Sequence, residues 1–496
     1  MSVGERAIEA HVGARLSSGP GAARDSIFSG TLAGAFVFSL ILNLVLYPTI
    51  LLFIASPMFA RSWTLQDPSV SAYSFVPGLE VVRYELLHNG NMLWTALKNF
   101  GAPILANEVQ AAPMFPLTLA LIWVPGLYFW NAFVSLRLVL LAMGTFLVGT
   151  RLLKCSPLAA IAFTLMFAYS TYVCRWINHP IENGLAAGVW VIYFAGRELQ
   201  SAAEPWSRRR FFNALGLAAS AYAMITCGFP EATAMSACLA VLVIGPMILR
   251  LALQDFRAAA LCLAVISFAI VSAALLAGAQ IFALAESVSL AGHDFRNQQG
   301  LGQFSSFAVL LDMIERYDLF PRAGPGYAFL HTFGLVPLVL FAAGLAARLA
   351  RPRNFTLADA IAILLIAFYV VKAFPVWPAF NALIASIPVL RQSWFPLYFF
   401  PLLLLGFAYF GAKGLEFYAS AIAERRWMAL FGVTAIACPG VFILGLWWGP
   451  KFAEINRFDI LLLSNATLAV FVLSLIAACW LASRREPRKV AFAFSA

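Results

Sequence analysis

The run TLAGAFVFSLILNLVLYPTILLFIAS at residues 31–56 contains no charged residue. A membrane-spanning helix needs about 20 mostly apolar residues, whereas the apolar core of a cleavable signal peptide is roughly 7–15 residues long. The run is too long for a signal peptide and reads as a retained first span. Comparable apolar runs recur at about 127–150, 156–174, 183–197, 211–227, 232–252, 258–281, 331–347, 357–374, 393–412, 427–447 and 459–482. Together they predict an all-α polytopic membrane protein with about 12 transmembrane helices, within a range of about 11–14. Composition agrees. The 496 residues are 62% hydrophobic and 11% charged, against about 45–50% and about 25% in a typical soluble domain, which excludes a water-soluble protein.

A net charge of +10 would suit a nucleic-acid partner if the basic residues formed an arm or patch. They are instead scattered between apolar runs, so no nucleic acid is expected. With the amino terminus inside, most of the 33 basic residues fall on the cytoplasmic side, among them Arg151 and Lys154, Arg197 with Arg208–Arg210, Arg348 with Arg351 and Arg353, and Lys413. The outer segments are longer yet hold fewer, which is the positive-inside pattern. Residues 1–30 then read as a flexible cytoplasmic tail, 31–415 as the transmembrane core, 416–483 as carboxy-terminal transmembrane helices and 484–496 as a basic cytoplasmic tail. Two larger outer loops, at about 57–126 and 282–330, are expected to carry short interfacial helices. Within the first, Met114–Val124 is apolar but too short to span, so it reads as an interfacial or re-entrant helix. The seven cysteines form no CxxC pair, and neither a disulfide framework nor a zinc site is expected. No GxxxxGKS, Rossmann, HExxH or GxSxG motif is present, so any chemistry belongs to the outer side.

Acidic residues number only 23, and a few stand where chemistry is plausible. Asp67, in WTLQDP at 63–68, follows the first span closely. A carboxylate held just above the bilayer can act as general base on a hydroxyl or hold a divalent metal; an Asp before Pro can equally open a helix. In WINHPIE at 176–182, His179 and Glu182 stand at the mouth between two spans. Glu231, in GFPE at 228–231, follows a Gly/Pro break. Polar groups at that depth are costly unless paired or wet, although Glu231 is also placed to cap the next helix. Arg137 lies mid-span, where a lipid-facing charge costs about 2.5 kcal/mol or more, so it is expected to face inward, pairing with Glu231 or Asp67, gripping a lipid phosphate, or forming a structural ion pair. Arg296 lies in the second outer loop. Arg391, before Trp394 and Phe395, can bind phosphate bidentately or anchor a span at the interface.

Taken in order, Asp67, SAYSFVPGLE at 71–80, MLWTALKNFGAPILANEVQAAPMFPLTLAL at 92–121, CGFPEATAM at 227–235, AGAQIFALAESVSLAGHDFR at 277–296, GYAFLHTFGLVPLVL at 326–340 and the Arg391 segment resemble the bacterial YfhO-like membrane protein family. That family is similar to the GT-C superfamily of polyprenyl-phosphate-sugar-dependent glycosyltransferases. The likeness covers most of residues 31–415. It implies a GT-C-like fold in the bacterial inner membrane, both termini cytoplasmic, and hexosyl or pentosyl transfer from a lipid-linked sugar donor to an envelope glycan or lipid acceptor. It further implies Asp67 as catalytic base and Arg391 with Arg296 as phosphate-neutralising groups; Glu231, His179, Glu182 and Arg137 join them as substrate-binding candidates because of their placement. No resident cofactor is expected, apart from the divalent metal that Asp67 would suit. The chain departs from the family pattern at Phe229, where a His is common, and at Arg137, where another His is expected. The competing readings are a transporter or flippase of lipid-linked glycans and a non-catalytic assembly subunit.

Overall fold

The computed structural model describes residues 32–54, 76–90, 93–97, 102–107, 112–124, 126–170, 172–173, 176–177, 179–290, 335–374, 376–386 and 396–424. Among them the regular secondary structure is helical apart from one antiparallel pair of two-residue strands, β1 (Trp94–Thr95) and β2 (Ala102–Pro103), with Trp94 opposite Pro103. The helices are α1 (Leu32–Ile54), α2 (Val76–Tyr84), α3 (Ile104–Asn107), α4 (Pro116–Leu121), α5 (Gly126–Leu147), α6 (Pro157–Ala168), α7 (Ile181–Gln200), α8 (Arg208–Ile225), α9 (Pro230–Gln254), α10 (Phe256–Leu276), α11 (Gly278–Leu290), α12 (Leu335–Leu349), α13 (Leu357–Ala373), α14 (Pro378–Ser386) and α15 (Phe400–Ala423). Among the described residues four helical stretches, Ala132–Leu152, Pro230–Gln254, Phe256–Leu276 and Phe400–Ala423, are long and apolar enough to cross a membrane. The protein is a helical membrane protein.

Each expected span from 31–56 to 393–412 coincides with a helix, but several boundaries differ for local reasons. In the run expected at 156–174, helix α6 ends at Ala168, where Tyr169 takes the cap position. The 258–281 run breaks at Ala277, and α11 continues to Leu290, so residues 282–290 are helix rather than loop. Lys413, expected in a cytoplasmic loop, lies inside α15 and is buried: its Nζ sits 2.8 Å from Glu416 Oε2 one turn on and 5.6 Å from the Tyr409 ring centroid. The partner one turn away and the aromatic face keep the lysine within the helix. Expected spans 427–447 and 459–482, and both tails, lie outside the described residues.

Helix α7 is central: nearly every residue along it is buried, and it packs against α5, α8 and α9. Small residues let these helices approach. Gly184 and Gly188 of α7 lie against Ala232 and Ser236 of α9, and Ser236 Oγ donates to Gly184 O at 2.8 Å. This is the small-xxx-small packing that substitutes for a hydrophobic driving force inside a bilayer. In the second half α15 packs against α6, α12 and α13. Helix α12 crosses it so closely that a methyl group at Gly344 would overlap Phe410 O, and one at Gly414 would overlap Leu340 O.

The two ends of the bundle are built differently. At one, α6, α8, α10 and α13 begin on the side-chain caps Ser156, Ser207, Asp255 and Thr356. Short ion pairs accompany them: Glu198 with Arg210, Arg348 with Asp359 at 3.3 Å, and Lys413 with Glu416. At the other end α7, α9 and α15 begin with Pro180, Phe229 and Phe399 in the cap position, none of which supplies a side-chain cap hydrogen bond. The sequence-predicted polar groups that are described, Arg137, His179, Glu182 and Glu231, lie toward that second end.

Candidate functional site

Arg137 enters from the middle of α5 and is 2% exposed. Its guanidinium donates to Asn183 Oδ1 at 2.8 Å, to His179 O at 3.2 Å and to Ile177 O. It also lies 5.5 Å from the Phe133 ring centroid. Asn183 passes the connection on by donating from Nδ2 to Cys227 O at 3.0 Å, just beyond α8. The inward orientation expected from the cost of a lipid-facing charge is therefore observed, and the guanidinium serves the carbonyls of Ile177 and His179. Carbonyls released by the chain's turn into α7 need donors in a water-poor interior, and Arg137 supplies several at once from a rigid fork.

Around this clasp stand His179 and Glu182. His179 Nδ1 accepts from the backbone N–H of Ile181 at 3.2 Å. That bond requires an unprotonated Nδ1, so the ring is the tautomer with its proton on Nε2. Its ring meets Trp176 and Phe229 edge-on, with centroids 5.0 and 4.8 Å apart. Tyr398 closes the group, 6.0 Å from Trp176 and 5.1 Å from Phe229. Glu182, in the first turn of α7, is 1% exposed, and neither carboxylate oxygen has a hydrogen-bond partner. Arg137 and Tyr172 lie within its electrostatic reach. A buried carboxylate without a donor is costly in a low-dielectric interior, and such groups inside a membrane protein are functional candidates by default.

Glu231 is buried in the first turn of α9, at the same end of the bundle. The cap position belongs to Phe229, so Glu231 does not cap α9 as one reading of the sequence had it; its charge complements the positive end of the helix dipole. Lys372, in the last turn of α13, is 1% exposed, with Nζ 5.5 Å from the Phe399 ring centroid. Sequence reasoning missed this cation. Its signal was a single Lys closing an apolar run immediately before Ala373 and Phe374, which also suits an ordinary interface anchor.

A second overlooked group lies in the first large loop. Glu85 Oε1 accepts from Thr95 Oγ1 at 2.6 Å and Oε2 from Asn89 Nδ2 at 2.5 Å. The two donors, Thr95 foremost, hold the Glu85 carboxyl below its ordinary range, so it is ionised near neutrality. Oε1 joins the segment that follows α2 to β1, while Oε2 closes the helical turn from Glu85 to Asn89. Arg83 ties the same segment to α4 by donating from Nε to Ile122 O at 3.0 Å. The Pro116–Leu121 helix thus occupies part of the Met114–Val124 stretch read as interfacial or re-entrant.

The structure therefore brings together Arg137, His179 and Glu182, and places Glu231 at the same end. Asp67, Arg296 and Arg391 lie outside the described residues. Among the described residues no group of three His, Cys, Asp or Glu side chains is placed to hold a metal ion. Compared with protein-family models, curated proteins and solved structures, the chain matches none.

Proposed function

We propose that this protein is a GT-C-like membrane glycosyltransferase that moves a sugar from a polyprenyl-phosphate carrier to a cell-envelope acceptor on the outer face of the bacterial inner membrane. The proposal includes about 12 spans with both termini cytoplasmic. The observation that carries it is the gathering of Arg137, His179, Glu182 and Glu231 at one end of the bundle, beside the rings of Trp176, Phe229 and Tyr398. Inverting transfer from a phosphate carrier needs a base for the acceptor hydroxyl and positive charge on the departing phosphate. Asp67 is assigned the first role by the resemblance, and Arg391 with Arg296 the second. Glu182, Glu231 and His179 would bind sugar or acceptor hydroxyls, with Arg137 holding the backbone that presents two of them. Aromatic rings beside such groups suit the apolar faces of a sugar ring.

A transporter or flippase of lipid-linked glycans is the second reading, favoured by Glu182: a buried carboxylate without hydrogen-bond partners is also what a proton-coupled carrier requires. The deciding experiment reconstitutes the full chain in vesicles with radiolabelled polyprenyl-phosphate sugars and compares wild type with Asp67→Asn. Transfer to acceptor that is lost in the variant supports the enzyme. Movement of intact lipid-linked sugar between leaflets, without transfer, supports the carrier.

A further inference from the structure

Three arginines open α8, in WSRRRFF at 206–212. Cations in the first turn of a helix face the positive end of its dipole, so each needs a compensating environment. Arg210 has one inside the protein: it is buried, forms an ion pair with Glu198, donates to Glu204 O at 3.0 Å and lies 5.5 Å from the Trp206 ring centroid. Arg208 and Arg209 are exposed. Arg208 lies 5.5 Å from the Phe212 ring centroid, and Arg209 reaches Glu204 at 3.7 Å with both side chains about half exposed, a geometry of small energetic worth.

The surface around them is unusual for its mixture. Trp206 is 60% exposed, and Phe211 and Phe212 are about half exposed. Helix α10 lies alongside, since Arg210 also reaches Cys262 Sγ at 3.9 Å. Its start adds Phe256, 75% exposed, and exposed Arg257, while the end of α9 adds exposed Arg250 and Leu253. Of the nearby acids, Asp255 is committed to capping α10 by accepting from Ala258 N at 3.0 Å. Exposed rings interleaved with guanidinium groups suit the headgroup layer, where Trp and Arg place an apolar body in the acyl region and a polar tip at the surface. The rings continue directly into the lipid-facing wall of α10, whose spanning window is only 28% buried.

The geometry points to this end of α8 and α10 as a binding surface for anionic phospholipid headgroups. Arg208 and Arg209 take phosphate oxygens through their planar forks, and Trp206, Phe212 and Phe256 pack among the upper acyl carbons. The continuity of the rings with the lipid-facing wall selects a lipid over a soluble acidic protein. The surface lies at the end opposite Arg137 and Glu182, so it stands whether or not the chain transfers sugar.

The test uses the full-length protein in phosphatidylcholine nanodiscs with and without phosphatidylglycerol. Phosphatidylglycerol is expected to raise the thermal unfolding midpoint and to stay bound in native mass spectrometry, with retention falling as salt screens the contact. The double variant Arg208→Gln/Arg209→Gln should unfold at the wild-type midpoint in phosphatidylcholine alone, because both side chains are exposed, and should lose more than half of the phosphatidylglycerol shift. Full retention of that shift by the variant would overturn the assignment. So would salt-independent phosphatidylglycerol retention by wild type, a measurement that needs no variant to fold. An equal shift from inorganic phosphate, or from soluble polyglutamate, would overturn it in favour of a free anion or an acidic protein.

Discussion

Arg137 donates to the side-chain oxygen of Asn183 across 2.8 Å, and Asn183 in turn donates to Cys227 O across 3.0 Å, so one chain of hydrogen bonds joins α5, α7 and the end of α8. Removing the guanidinium leaves Asn183 Oδ1 and the carbonyl of Ile177 short of donors in a buried place, while His179 O keeps the N–H of Glu182. Each such loss costs about 1–3 kcal/mol. Arg137→Met should therefore lower stability by about 3 kcal/mol or more, read as a lower unfolding midpoint in detergent. Arg137→Lys should recover only part, because an ammonium cannot reproduce the fork. An Arg137→Met protein as stable as wild type would remove the clasp from the account.

The position of Arg137 illustrates what was legible beforehand. Its mid-span location and the cost of a lipid-facing charge fixed the direction it faces. Its partners were hidden, because the acceptors are largely backbone carbonyls, which no side-chain pattern reports. The helices themselves followed from hydropathy, with errors where a single residue competed with the average. Lys413 looked like the start of a loop, and only the Glu416 partner and the Tyr409 ring explain its burial. The break at Ala277 was masked because the apolar pattern continues on both sides of it. Lys372 and Glu85 were missed for a related reason: burial of one charge depends on which distant segment, here the Phe399 ring and Thr95, arrives beside it.

Glu182 separates stability from function. Its oxygens accept no hydrogen bond, so Glu182→Gln removes no such contact and keeps the shape. Because it removes a buried charge that no donor satisfies, its unfolding midpoint should match or exceed that of wild type. If the side chain binds substrate, sugar transfer should nevertheless fall by about tenfold or more, the equivalent of one lost interaction of about 1.4 kcal/mol in the transition state. A variant that is both as stable and as active as wild type would exclude Glu182 from the site.

Glu85 gives a pH dependence whose sign is fixed by its donors. Thr95 and Asn89 hold its folded-state pKa below the ordinary 4.5. The unfolded segment therefore binds a proton first as pH falls. The stability contributed is complete above pH 4.5 and is lost as pH drops through the folded-state value. Amide protection of residues 85–105, referred to the intrinsic exchange rate at each pH, should fall in that acidic window, and cleavage by an acid protease should rise. Glu85→Gln, which cannot ionise, should flatten the acid dependence while loosening the segment at neutral pH. An unchanged acid response in the variant would assign it to another group.

Gly344 and Gly414 form a mutual contact in which each helix occupies the place of the other's missing side chain. An added methyl at either position meets a backbone carbonyl, which cannot rotate away as a side chain would. Gly344→Ala and Gly414→Ala should each cost about 1–3 kcal/mol through overpacking, despite the better helix propensity of Ala. The costs should not add. Separating α12 from α15 to admit one methyl also makes room for the second, so the double variant should be more stable than the sum of the single losses predicts by about 0.5 kcal/mol or more. Strict additivity in a double-mutant cycle, measured by unfolding in detergent, would mean that the two clashes are relieved independently, by local bending around each glycine rather than by a shift of the whole helix.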